Sequence, residues 1–251
     1  MQHPARPRSA RTWNRLRAGV LLANLSADSL RSCFADAREA AWATRELALP
    51  PARRLRGLVF GVVGLGRIGL AAALRARAFG LEVAFHDPYP PPGAELSTGF
   101  RRHRALADLL SEADIVSIHC PTTRETERLI DAMALARMKP GAVLVNTARG
   151  GIVDLDAVGE ALRQGRLGAA ALDVLPEEPP DRSHPLLAAW ARQEAWLEGR
   201  FLLTPQAGFF TPESLADMRR LSAQAAADFL RDGSLRACVN RDLLRAHGFA
   251  A

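Results

Sequence analysis

Apolar and polar positions along this chain switch between two periods, and the switches predict its elements. The apolar run from Leu58 to Val63 is short, sharply bounded and Val-rich, as a buried strand requires. From Arg67 to Phe79 apolar residues recur at helical spacing, and Gly80 stops the pattern. The alternation then repeats: strand 82–86, a Pro-rich turn 88–93, helix 104–112, strand 114–119, a helical pair within 124–138, strand 142–146, helix 155–164 and strand 168–173. A Pro-rich turn, a short helix from Leu186 to Leu197 and a last strand from Phe201 to Leu203 follow. Thr211, Pro212 and Glu213 open a long helix to Arg231 that carries Leu215, Met218, Leu221, Ala225 and Phe229 on one face and ends at Gly233. Ahead of the first strand, Leu30 to Ala48 reads as an amphipathic helix stopped by Pro50 and Pro51. Strands alternating with helices define an α/β chain, a doubly wound parallel sheet with flanking N- and C-terminal helices. Three parts are expected: a helical segment over 1–51, the sheet domain over 52–205, and a C-terminal helix and tail over 206–251.

The first strand feeds a turn of the form G-x-G-x-x-G at Gly64, Gly66 and Gly69, with Arg67 and Ile68 between the last two glycines. Gly64 permits a tight turn, Gly66 admits a phosphate to the backbone, and Gly69 lets the helix pack closely on the strand. The helix N-terminus then offers N–H groups and a positive dipole end to an anion. The second strand ends in Asp87, about 20 residues beyond the glycines, where a carboxylate accepts from the hydroxyls of an adenosine ribose. This order predicts a Rossmann-type site for NAD. It disfavours NADP, because a 2′-phosphate would meet the Asp87 charge and no Arg follows at once; the next residues are Pro88, Tyr89 and Pro90.

Bulk composition narrows the picture without changing it. The 251 residues are 48% apolar, enough for one large or two small domains. No apolar run approaches the roughly 20 residues of a membrane span. Cys33, Cys120 and Cys238 are scattered without C-x-x-C spacing, which argues against a disulfide framework or a zinc site and fits a reducing cytoplasm. The formal charge of +6 suggests nucleic acid until it is divided along the chain. Residues 1–56 hold 11 Arg against 4 acidic residues, so the remainder is nearly neutral. The Arg-rich start lacks interleaved aromatics or a recognised motif, so it is not a nucleic-acid footprint.

In a doubly wound sheet ligands gather at the carboxyl ends of the strands. The segments there are His119-Cys120-Pro121, Asn146 to Gly151 including Thr147, Ala148 and Arg149, Asp173 to Pro179 including Glu178, and Leu203 to Gly208 including Gln206. With the glycine turn, Val145 to Asp154 and the tail Cys238 to Asp242, these segments resemble the D-isomer-specific 2-hydroxyacid dehydrogenase family, most closely its C-terminal-binding-protein branch. The resemblance covers about residues 52–243. It implies that Arg149 is the arginine for the substrate carboxylate, that Glu178 is the acid that orients a catalytic histidine, and that Asp173 lies near the nicotinamide. Cys120, Pro121, Thr147, Ala148, Arg149, Asp173, Gln206 and Gly208 then join the glycines and Asp87 as candidate contacts for NAD(H). A small 2-keto or 2-hydroxy acid is the implied substrate, and a homodimer the family's usual assembly.

Two departures from the family pattern bear on function. Where its acid–base histidine would follow Thr204-Pro205, this chain has Gln206, whose amide neither gives nor takes a proton at accessible pH. The family also carries most of a flavodoxin-like substrate domain ahead of the glycine turn; here the turn begins at Gly64, and most of that domain is expected to be missing. The expected function is therefore an NAD-binding oxidoreductase-family protein with impaired hydride transfer. The alternative is an NAD-sensing interaction module in which the dinucleotide sets an assembly state without turnover. His86 and His119 sit at strand ends and read as structural, and His184, in the Pro-rich loop, has no acid partner that the sequence assigns.

Overall fold

A computed structural model describes residues 54–90, 92–235 and 238. The expected helix at 30–48 lies outside the described residues. The chain divides between Gln206 and Ala207 into two compact units.

The first unit is a seven-stranded sheet in the order β3-β2-β1-β4-β5-β6-β7, parallel throughout. Its strands are β1 (Val59–Val63), β2 (Glu82–His86), β3 (Arg101–Arg102), β4 (Ile115–Ile118), β5 (Ala142–Asn146), β6 (Leu167–Leu172) and β7 (Phe201–Leu203). Its helices are α1 (Arg67–Ala78), α2 (Ala94–Thr98), α3 (Leu106–Glu112), α4 (Ala132–Arg137), α5 (Leu155–Arg163) and α6 (Pro185–Ala191). Both faces are covered at the centre of the sheet, so β1, β4 and β5 are buried at every position rather than alternating. Successive side chains of β1 enter two separate cores. Phe60 and Val62 join Phe85, Ala73 and Ala76 on the α1 side, while Val59 and Val63 join Leu109, Leu144, Val158 and Leu162 on the other. β1 pairs with β2 on one edge and β4 on the other, so chain order reverses there and a crevice opens beyond their carboxyl ends.

The chain departs from the sequence pattern in small elements. The expected pair of helices within 124–138 is a turn followed by α4; Thr126 Oγ1 accepts from Thr123 N at 2.7 Å and donates to Pro121 O, which closes 123–126 as a turn. The expected helix 104–112 begins at Leu106, and the two-residue β3 and five-residue α2 carry no period that could announce them. The helix expected over 186–197 is α6 followed by a separate 3-10 turn, Ala195–Leu197. Arg200, just before β7, donates to the carbonyls of Leu162, Leu167, Gly168 and Trp196 and so holds the end of α5 to the edge of the sheet.

In the second unit, α7 (Pro212–Asp232) starts under a Thr211 cap, whose Oγ1 accepts from Ser214 N at 3.0 Å, and stops at Gly233 with φ 70°. No residue of α7 is buried, and Met218, Leu221 and Phe229 stand about half exposed. No helix among the described residues is long and apolar enough to cross a membrane.

Phe85 is fully buried at 0% exposure in the centre of the α1-side core. Phe85→Ala is expected to cost about 3–5 kcal/mol, read as a lower urea midpoint at unchanged slope.

Candidate nucleotide and active site

The glycine turn is built by close backbone approaches. Gly64 has φ 91°, and a Cβ there would sit 2.8 Å from Cys120 N. A Cβ on Gly69 would sit 2.1 Å from Gly64 O, so any side chain would push α1 off the turn. Gly66 is the opposite case: it is exposed, and a Cβ would meet nothing within 4 Å. Open space therefore lies in front of Gly66, where α1 begins without a side-chain cap or an acidic residue in its first turn. Arg67 and Ile68 beside it are exposed, Ile68 at 70%. An uncapped helix start facing open space fits a dinucleotide's pyrophosphate.

Asp87 ends β2 against this turn. Its Oδ2 accepts from Leu65 N at 2.8 Å and its Oδ1 from Tyr89 N at 2.8 Å. The carboxylate thus braces the turn, and each oxygen keeps a lone pair for a ribose hydroxyl. Tyr89 in turn donates its hydroxyl to Glu125 at 2.9 Å, linking the loops after β2 and β4. At the end of β4, burial pushes His119 down to about 4, and its Nε2 contacts Ser117 Oγ at 2.8 Å. A neutral imidazole there is structural, not a proton donor. Burial likewise pushes the half-buried Cys120 thiol up, which keeps it protonated and unreactive; Pro121 beyond it is exposed.

The ends of β5, β6 and β7 form the other half of the site. Asn146 is buried at the end of β5; its Oδ1 accepts from Ala148 N at 3.0 Å and its Nδ2 donates to Arg149 O at 2.8 Å. This clamp shapes Thr147 and Ala148, both half-buried, and turns Arg149 outward, where it is exposed and one Nη1 donates to Ala148 O. A Cβ on Gly150 would sit 1.9 Å from Leu175 C, so only glycine lets the Arg149 loop lie against the segment after β6. Asp173 there is buried; its Oδ1 accepts from Thr204 Oγ1 at 2.5 Å and its carbonyl from Gln206 N at 2.7 Å. Gln206 holds a left-handed φ of 45°.

The candidates therefore fall into two groups, Gly64 to Gly69 with Asp87, Cys120 and Pro121, and Thr147 to Arg149 with Asp173 and Gln206. Glu178 is exposed, and its Oε1 accepts from Leu175 N at 3.0 Å; no hydrogen bond joins it to Gln206 among the described residues. Gly208 lies in the second unit, in the 3-10 turn Ala207–Phe209. His184 does have an acid partner: Nε2 lies 3.0 Å from Asp156 Oδ1, while Nδ1 accepts from Leu186 N as the cap of α6. Asn146 and Thr204 were not among the candidate residues. An Asn at the last position of a strand, followed by a loop, is the available signal for Asn146, whereas the partner of Thr204 is 31 residues away.

Sheet order, glycine turn and strand-end acid together define a dinucleotide-binding α/β domain with NAD as its cofactor. The model of the D-isomer-specific 2-hydroxyacid dehydrogenase NAD-binding domain matches residues 23–205, and the chain belongs to that family. It is 39% identical over 191 residues to a glyoxylate reductase of Aeropyrum pernix, covering 76% of this chain and 54% of that protein. It is 37% identical over 199 residues to the 2-hydroxyacid dehydrogenase A of Aspergillus oryzae, covering 78% and 56%. The chain thus spans about half the length of these curated relatives. Among solved structures, a glyoxylate reductase from Paecilomyes thermophila is similar with a TM-score of 0.73 at 29% identity, covering 91% of this chain and 66% of that one.

The neutral His119 has a signed consequence for stability. Its folded value lies below the unfolded one, so its contribution is complete above about pH 6.5 and is lost as pH falls towards 4. In that window stability is expected to fall by about 1.4 kcal/mol per pH unit from this group alone. His119→Gln should flatten the slope of urea midpoints measured between those pH values.

Proposed function

We propose that this chain holds NAD(H) as a member of the 2-hydroxyacid dehydrogenase family, offers Arg149 to the carboxylate of a small 2-keto or 2-hydroxy acid, and is impaired in turnover. Bound NADH would supply a hydride to a 2-keto acid, and bound NAD+ would accept one from a 2-hydroxy acid. Arg149 suits a carboxylate because its guanidinium is planar, always charged and spends one donor on Ala148 O. The names of the relatives, a glyoxylate reductase and a 2-hydroxyacid dehydrogenase, support this substrate class.

The observation that carries the impairment is Gln206. Its left-handed backbone is held by its own N–H, which donates to Asp173 O and Thr204 O at 2.7 and 3.0 Å. Such a conformation costs of order 1–3 kcal/mol in a residue other than glycine, so the frame around position 206 is maintained. The side chain it presents can hydrogen-bond a carbonyl oxygen but cannot deliver the proton that a new hydroxyl requires. Glu178, with Oε1 engaged by Leu175 N, braces its own loop.

A second reading, an NAD-sensing interaction module of the C-terminal-binding-protein type, is favoured by the same lack of a titratable group and by the exposed apolar face of α7. Calorimetric titration with NADH followed by turnover assays separates the two. NADH is expected to bind, with rates on glyoxylate, pyruvate and hydroxypyruvate at least about 100-fold below those of a relative that keeps the histidine. A robust rate would overturn the impairment. A change in oligomer size on adding NADH, without turnover, would favour the second reading.

A further inference from the structure

Two loops of the nucleotide face are tied together by a bond that crosses the site. β1 lies between β2 and β4 in the sheet, so the loops that follow β2 and β4 stand on either side of its carboxyl end, where the glycine turn begins. Tyr89, in the first loop, donates its hydroxyl to Glu125 in the second, with Oε2 at 2.9 Å and Oε1 at 3.2 Å. Both ends are anchored by backbone. Tyr89 N donates to Asp87 Oδ1 at 2.8 Å, and Pro88 and Pro90 on either side limit the swing of its main chain. Glu125 N donates to Thr123 Oγ1 at 3.2 Å, within the turn that Thr126 closes. The bond itself is open to water: Tyr89 is 75% exposed, and Glu125 is exposed as well. It buries little, so it adds little to the stability of the fold. Glu125 pushes the Tyr89 phenol up, which keeps it protonated as the donor.

We infer that the Tyr89–Glu125 pair is a strap over the adenosine end of the crevice, which must open for a dinucleotide to enter or leave. The inference rests on the nucleotide-site reading of the glycine turn and Asp87. An adenosine whose ribose sits at Asp87 and whose pyrophosphate sits at Gly66 occupies the space that the line from Tyr89 to Glu125 crosses, since that line passes over the end of β1. A surface hydrogen bond between two loops is weak enough to break and re-form as the loops move, yet favourable enough to keep the closed arrangement dominant. Because the strap joins protein to protein rather than protein to ligand, it bears on entry and exit alike. It slows both rates and leaves the affinity nearly unchanged, whereas an ordinary contact with the adenosine would set the affinity.

The test is stopped-flow measurement of association and dissociation rates for NADH and for ADP-ribose, on the full chain and on Tyr89→Phe, Glu125→Ala and the double variant. Both rates are expected to rise about fivefold in each single variant, the worth of one hydrogen bond, with Kd changed by less than about twofold. The double variant should be no faster than either single one, because both substitutions remove the same bond. ADP-ribose, which carries the adenosine without the nicotinamide, should respond as NADH does. If NADH binds and neither rate moves, the strap is overturned and the nucleotide site stands. A rise in Kd at an unchanged association rate overturns it in favour of a plain adenosine contact. Acceleration for NADH but not for ADP-ribose, or additive effects in the double variant, overturns it too. Failure of NADH itself to bind would remove the nucleotide site and this inference with it.

Discussion

The backbone of Gly64 approaches the Cys120 amide more closely than any side chain permits, and the nucleotide face is built around that approach. It draws the ends of β1 and β4 together, while Gly69 seats α1 on the carbonyl of the same turn. Asp87 closes the third side by accepting from Leu65 N. With the turn fixed on three sides, α1 starts without a cap of its own, and its first N–H groups remain available to a phosphate. Steric exclusion thus comes first, and the electrostatics of the site follow from it.

The same device recurs on the other half of the site. Gly150 lets the loop after β5 rest against Leu175, and Asn146 then sets the path of Thr147 to Arg149. Asp173 ties Thr204 and Gln206 to the end of β6. None of these contacts involves proton transfer. A frame held by glycine approaches and backbone hydrogen bonds is indifferent to whether residue 206 can titrate, so the architecture persists around an amide that lacks the chemistry.

Charge is distributed with a similar separation of roles. Two groups at the end of β4 are kept neutral, His119 by burial and the half-buried Cys120 thiol by the same cause. The ionised groups sit at strand ends and edges, where water screens them and partners are shared: Arg101 between Glu82 and Glu112, and Arg128 against Asp154. Burial pushes the Asp154 carboxyl up, but the Ala157 amide and the Arg128 guanidinium outweigh it and leave it below the usual carboxylate range, where it caps α5.

The sequence by itself determined the succession of strands and helices, because covered strands and amphipathic helices differ in local apolar period. It also placed the glycine turn and the acid ending the next strand, whose spacing is set within one β-α-β unit. The chemical poverty of Gln206 was legible too, since the identity of a side chain decides whether it can carry a proton. Short elements such as β3 and α2 were not, for two to five residues are too few to show a period. Nor were the side-chain partners that lie far apart along the chain. Arg102 reaches Asp87 from 15 residues away, Thr204 reaches Asp173 from 31, and His184 finds Asp156 on another helix. Sheet order and register decided those meetings, because hydrogen bonding between parallel strands aligns residues that no local pattern along the chain connects.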